Sequence, residues 1–510
     1  MAIALSQRPA VAGQLVAALC ARQEGNPENE TLNESLCSGL TIARMAQENR
    51  QKRAGAFIKS ATDAVVRAAV QGRLTVFHRI ILGSAWVRAG LQAPAALEMS
   101  ERDISVTDMK EMNEFPQDPD SPATMLSGAF RNVIEKSGGG AFELYTMTSE
   151  IFPAMWAEMR AIIIAWSVDR PESVHARLAC SWLLDPAPRT RLAAARALAD
   201  RASASGLHPD AAIRMVTLRS WMPDDDARAA VDRALKDAMR SGLATGKHGK
   251  PWKIHSVMAS LPDGAGTQII SIALQLGDSR KIAMLLLKHG FGVRGAYFVP
   301  CISATEQRAL VQGITEHTGA VRVPLTWLER TLSMALADGL AAGIPPAHGL
   351  IQVAELCGLT TLRPEAETTE ALIATQPAAE RIGGLSAQER DRLMNVDDEW
   401  RNRIEIASSW FEEIDHVDEL AKGEPSEQVF ERNLWSWLET RRGHWARIVA
   451  LAADVLRAAG HQDTDDLVAT ATALIKGREL KEIPVMAEVH RQTIEIRAGD
   501  VLQVSEDVGE

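Results

Sequence analysis

The strongest constraint in this chain is a run of short apolar segments that repeat with the helical period. Residues 174–184, 190–201, 210–220, 227–240, 267–276 and 280–288 each bring apolar side chains round about every 3.6 positions. Most begin at or after Ser, Thr, Asp or Pro, which cap a helix N-terminus or preset its first φ. Several end at a glycine, as at Gly206, Gly242 and Gly290, where a left-handed cap residue costs little. Alternating patterns are scarce. The segments 493–497 and 501–505, flanking Ala498-Gly499-Asp500, read as a C-terminal hairpin or as the frayed end of a helix. The fold class expected is therefore all-α, with a middle region of antiparallel helices and no sheet.

The middle region also repeats itself. Residues 181–200 lie over residues 220–237 with a two-residue gap in the turn, which aligns Trp182 with Trp221 and Leu198 with Leu235. The first copy carries Asp185-Pro186 at the turn, Arg191 six residues after the aspartate, and a small-residue face of Ala193, Ala194 and Ala197. Pro223 and Arg228 mark the second copy, and a weaker third lies around residues 281–287. This pattern resembles a HEAT-type helical hairpin, whose period is about 40 residues. The resemblance implies an α-solenoid-like stack of hairpins, packed closely through small residues. It also implies that Trp182 and Trp221 sit at equivalent buried places.

Two polar, Pro- and Gly-containing stretches punctuate the chain. They suggest an N-terminal helical region (1–100), a linker (101–122), the HEAT-like stack (123–358), a second linker (359–386) and a C-terminal helical region (387–510). In the last region the segments 396–420, 426–440 and 444–459 carry Trp400, Trp410, Trp435, Trp437 and Trp445 at spacings that suit core anchors. With 510 residues, of which 46% are hydrophobic, a core needs no disulfide or metal to hold it.

The formal net charge is −11, which argues against a general nucleic-acid coater. Residues 44–88 depart from that balance, with nine cationic side chains against Glu48 and Asp63, a local +7 in a chain otherwise at −18. Five cysteines, none in C-x-x-C spacing, fit a reducing compartment, and no apolar run nears the length of a membrane span. The expected location is cytoplasmic, with no membrane association.

Motifs that would fix a chemistry are weak. Gly290-Phe291-Gly292-Val293-Arg294-Gly295 matches GxGxxG but reads as a loop, with Gly290 capping a helix over 280–288. Residues 242–248 imitate a phosphate loop but lack its spacing and its Ser or Thr after the lysine. Glu412, Asp415, His416 and Glu419 share one helix face at i, i+3, i+4 and i+7, a pattern a divalent metal can use. No nucleophile is paired with a base, so no catalytic residue and no cofactor is assigned. The function expected is a non-catalytic helical-repeat scaffold for a protein partner. One alternative is nucleic-acid binding through Arg44, Arg50, Lys52, Arg53, Lys59 and Arg67, with Lys247, Lys250 and Lys253. The other is a metal-dependent hydrolase centred on residues 412–419.

Overall fold

Thr75 forms a reciprocal cap at the start of one helix. Its hydroxyl accepts from His78 N–H while the His78 ring accepts from Thr75 N–H, so two otherwise orphaned amides are satisfied at once. The computed structural model describes residues 8–49, 54–99, 140–242, 251–397, 400, 404–412, 427–461 and 464–507. The chain divides into two compact units, Met1–Gly249 and Lys250–Glu510.

The N-terminal unit opens with α1 (Pro9–Cys20), α2 (Glu28–Glu48), α3 (Ala54–Val70) and α4 (Val76–Arg88). They enclose a core that includes Leu19, Leu36, Leu40, Phe57, Leu82 and Trp86. Gly39 lets α2 and α3 touch, since a Cβ there would lie 2.5 Å from the Phe57 ring. Among the described residues six further α-helices follow: α5 (Ala141–Ile151), α6 (Ala157–Val168), α7 (Ser173–Trp182), α8 (Pro188–Ala204), α9 (Pro209–Leu218) and α10 (Asp226–Arg240). They form three hairpins in two layers. In one layer α7 lies between α5 and α9, and in the other α8 lies between α6 and α10. Pro188 and Pro209 occupy first turns, and Asp225 caps α10 by accepting from the Ala227 and Arg228 amides. Buried Ala194, Ala195, Ala230 and Ala234 supply the small contact faces of α8 and α10. Trp182 and Trp221 are both fully buried. Trp182 donates its ring N–H to Thr148 at 3.2 Å and stacks on Phe152 at 5.7 Å between centroids.

The C-terminal unit overturns the all-α expectation. Residues 253–322 hold a five-stranded antiparallel sheet, so the chain is a mixed α and β protein and the helical stack ends at Arg240. The strands are β1 (Lys253–Ala259), β2 (Thr267–Leu276), β3 (Ser279–Lys288), β4 (Gly292–Cys301) and β5 (Val321–Arg322), in the order β4-β3-β2-β1-β5. The two segments read as helices over 267–276 and 280–288 are thus neighbouring strands, paired from Thr267↔Lys288 to Leu276↔Ser279. The reason is burial on both sheet faces. Strands that are covered twice become continuous apolar runs, in which the period-2 alternation disappears. Gly277-Asp278 closes this hairpin, with Gly277 at φ 57°. Gly290 belongs to the β3–β4 turn, not to a helix end.

On one sheet face Val311 and Ile314 of α11 (Ala304–Thr318) pack near Ile282 and Met284. Both α12 (Leu325–Ala341) and α13 (Gly349–Cys357) lie against β4. Gly292, at φ 83°, is where β4 meets α12, and a Cβ there would lie 2.7 Å from the Ala335 carbonyl oxygen. The remaining helices are α14 (Thr369–Ala374), α15 (Ala378–Gly384), α16 (Ala387–Leu393), α17 (Glu427–Thr440), α18 (Arg442–Ala458), α19 (Asp465–Ile475) and α20 (Pro484–Asp507). Within the stretch read as a second linker, α14 packs on α18 and α19, and α15 packs on α19. The segment weighed as a hairpin or a helix end lies within α20. Of the segment 396–420, the described residues hold a short 3-10 turn at Glu405–Ser409. Trp400, Trp410 and Trp445 are buried. All five cysteines are free thiols. Among the described residues no helix is long and apolar enough to cross a membrane.

Candidate functional site

Among the described residues the cationic stretch does not gather on one face. Arg44 turns inward, donating to the Ala89 carbonyl at 2.7 Å and pairing with Glu48 at 2.6 Å. Arg79 is buried and donates to the Ala96 and Glu98 carbonyls. Lys59 pairs with Asp63 on the surface of α3. Arg67, Arg73 and Arg88 are exposed, as is Lys253 at the start of β1. Arg50, Lys52, Arg53, Lys247 and Lys250 lie outside the described residues.

The hairpin array carries a ladder of polar contacts from one repeat to the next. Asp185, in the turn after α7, accepts from the Tyr145 hydroxyl of α5 at 3.1 Å and from the Ala187 amide at 2.8 Å. Arg191 of α8 donates to the carbonyls of Asp185 and Pro186, then reaches forward to the Asp225 carboxylate at 3.4 Å. Each turn aspartate is therefore engaged by the hairpin before it. Burial pushes the Asp185 carboxyl up to about 6.

In the C-terminal unit, Glu412 is a core residue. Its oxygens accept from the Trp445 and Trp437 ring N–H groups at 2.7 and 3.1 Å and from Arg441 Nε at 3.2 Å. Asp415, His416 and Glu419 lie outside the described residues. Among the described residues no group of three or more His, Cys, Asp and Glu is arranged to hold a metal ion.

Two polar centres that the sequence does not advertise lie among α12, α18 and the sheet. Asp454 is buried and accepts from Trp327 Nε1 at 2.8 Å, Arg457 at 3.0 Å, Gln376 at 3.3 Å and Arg330. Burial alone would raise its carboxyl, but the hydrogen bonds and charges of Arg330 and Arg457 outweigh that and hold it low. The second centre is a histidine–aspartate pair. His289 Nδ1 lies 3.3 Å from Asp338 Oδ2, which also accepts from the Gly290 amide at 3.0 Å. His444, with its ring 6.1 Å from that of His289, donates from Nε2 to the Gly264 carbonyl at 2.8 Å. Burial, reinforced by Arg441, pushes His444 down to about 3, so it is neutral. His289 is oriented by Asp338 and partly exposed. The only sequence sign of this place is the glycine-rich turn after His289. Asp338 and Asp454 sit in helices far apart in the chain and share no spacing that would reveal them.

A hairpin array in one unit and a helix-covered antiparallel sheet in the other define a two-unit, helix-rich chain of mixed class. Three family models match it: the N-terminal domain of uncharacterised protein y4lR over residues 1–94, the Y4lR second domain over 157–242, and the Y4lR C-terminal helical domain over 370–498. None of the three is a helical-repeat model. The chain is similar to the "Uncharacterized protein y4lR" of Sinorhizobium fredii (strain NBRC 101917 / NGR234). The two are 29% identical over 488 residues, covering 95% of this chain and 91% of the relative. No solved structure matches the chain.

Proposed function

We propose that the chain is a non-catalytic helical-repeat protein whose hairpin array, HEAT-like in its layering, binds a protein partner. The observation that carries this reading is the exposure of large apolar side chains on the array. Ile162 of α6 and Met239 of α10 belong to the same layer and are 54% and 68% exposed, and Val216 of α9 is 46% exposed. Such exposed apolar side chains mark a surface that another protein can cover. The inward use of Arg44 and Arg79 favours a protein over a phosphate backbone as the partner.

Photo-crosslinkers placed at residues 162, 216 and 239 of the full chain in its native cells should capture one recurrent protein. With the crosslinker at 216, Ile162→Glu together with Met239→Glu should abolish the adduct without changing the melting temperature. No adduct at any of the three positions, or a nucleic acid as the captured species, would overturn the reading.

A further inference from the structure

We propose that Asp185 is a proton-operated latch between consecutive hairpins of the array, closed when the carboxyl is protonated in mildly acidic surroundings and loosened when it ionises. An ionised carboxylate offers about four acceptor sites. Here the side chain is buried and receives one donor on each oxygen, the Ala187 amide on Oδ1 and the Tyr145 hydroxyl on Oδ2. The cation nearest in the fold compensates the charge only in part, because Arg191 gives its donors to the carbonyls of Asp185 and Pro186 and to Asp225. Arg160 of α6, the other cation that faces Asp185, is bound to Glu98 at 3.0 Å.

The groups facing the carboxyl are therefore Tyr145 from α5, Arg160 from α6 and Arg191 from α8, with Glu98 and Asp225 one contact further out. Burial, followed by the Asp185 charge, pushes the Tyr145 hydroxyl well above its usual range, so it stays neutral across the interval in question. A protonated Asp185 keeps both hydrogen bonds, since the acid and the phenol exchange donor and acceptor roles. An ionised one leaves lone pairs unsatisfied in a dry site, and the cheapest relief is to open the turn to water. The carboxyl is raised in the folded chain relative to an unfolded aspartate. Its contribution to stability is thus complete below about pH 4 and is lost as pH rises through about 6.

The test compares wild type with Asp185→Asn, a neutral isostere, by hydrogen exchange of the full chain between pH 4.5 and 7.5, read as protection factors for residues 141–151 and 183–190. At pH 7.5 the variant should be better protected than wild type by about tenfold or more, and the two should converge by pH 4.5. Equal or poorer protection of the variant at pH 7.5 would overturn the latch. Tyr145→Phe serves as the second variant, since it removes a donor only the ionised form needs. It should move the wild-type transition to higher pH, and an unmoved transition would also count against the proposal.

Discussion

The two units bury polar groups in opposite styles. In the N-terminal array the buried carboxyl is held locally: Asp185 is engaged by residues no more than 40 positions away, all within neighbouring hairpins. In the C-terminal unit Asp454 is met by Trp327, 127 positions away, and by Arg330, 124 away. A hairpin array needs only its neighbours, so its stability is distributed along the chain. In the C-terminal unit the Asp454 centre instead ties α12 to α18 across more than a hundred residues of chain. The lesson is that one chain can hold a buried carboxyl through near neighbours in one unit and through distant residues in the other.

The sharpest way to break this contrast is at the long-range centre. Asp454→Ala should leave Arg330 and Arg457 without their shared carboxylate and cost about 3–5 kcal/mol. Melting followed by a probe in each unit should show the C-terminal transition falling while the N-terminal one stays. The mirror experiment is Trp182→Ala, which empties a fully buried site between hairpins and should cost about 3–5 kcal/mol, lowering the N-terminal transition alone. Loss of both transitions in either variant would show that the units do not fold separately.

A smaller effect separates the units by pH. His444 is held at about 3, far below an unfolded histidine, so the stability it contributes is present above about pH 6.5 and drains away as pH falls toward 3. Asp185 has the opposite sign, gaining stability as pH falls from about 6 toward 4. Acidification should therefore destabilise the C-terminal unit relative to the N-terminal one. His444→Gln should flatten the first dependence and Asp185→Asn the second. The smallest change expected is Gly277→Ala. Nothing crowds a Cβ there, but the residue sits at φ 57°, so the cost should be about 1 kcal/mol, in the C-terminal unit only.

These two styles also explain what could be read in advance. Segments 174–184, 190–201, 210–220 and 227–240 fall on α7 through α10, most plainly on α10, whose one wet and one dry face the 3.6 period records. Trp182 and Trp221 were legible for the same reason. The sheet was not, because β2 and β3 are dry on both faces and Ala283-Met284-Leu285-Leu286-Leu287 consists of good helix formers held in a strand by their neighbours. Two signals were present and carry the lesson: Ile269, Ile270 and Ile272 are β-branched, and Gly277-Asp278 is a two-residue hairpin turn. The candidate centres at Asp338 and Asp454 had no sequence signal, since their partners are assembled only by the tertiary fold.

The strand order has one more consequence. In β4-β3-β2-β1, every neighbour in the sheet is also a neighbour in sequence, and the β2–β3 and β3–β4 turns are two and three residues long. Such a meander has low contact order, so it can close on itself while the ribosome is still making the helices that follow. The bridge from Trp327 to Asp454 has to wait for more than a hundred further residues. During that interval α12 stands without the α18 carboxylate that Trp327 and Arg330 both engage, and this is the moment at which a chaperone would have the most to hold.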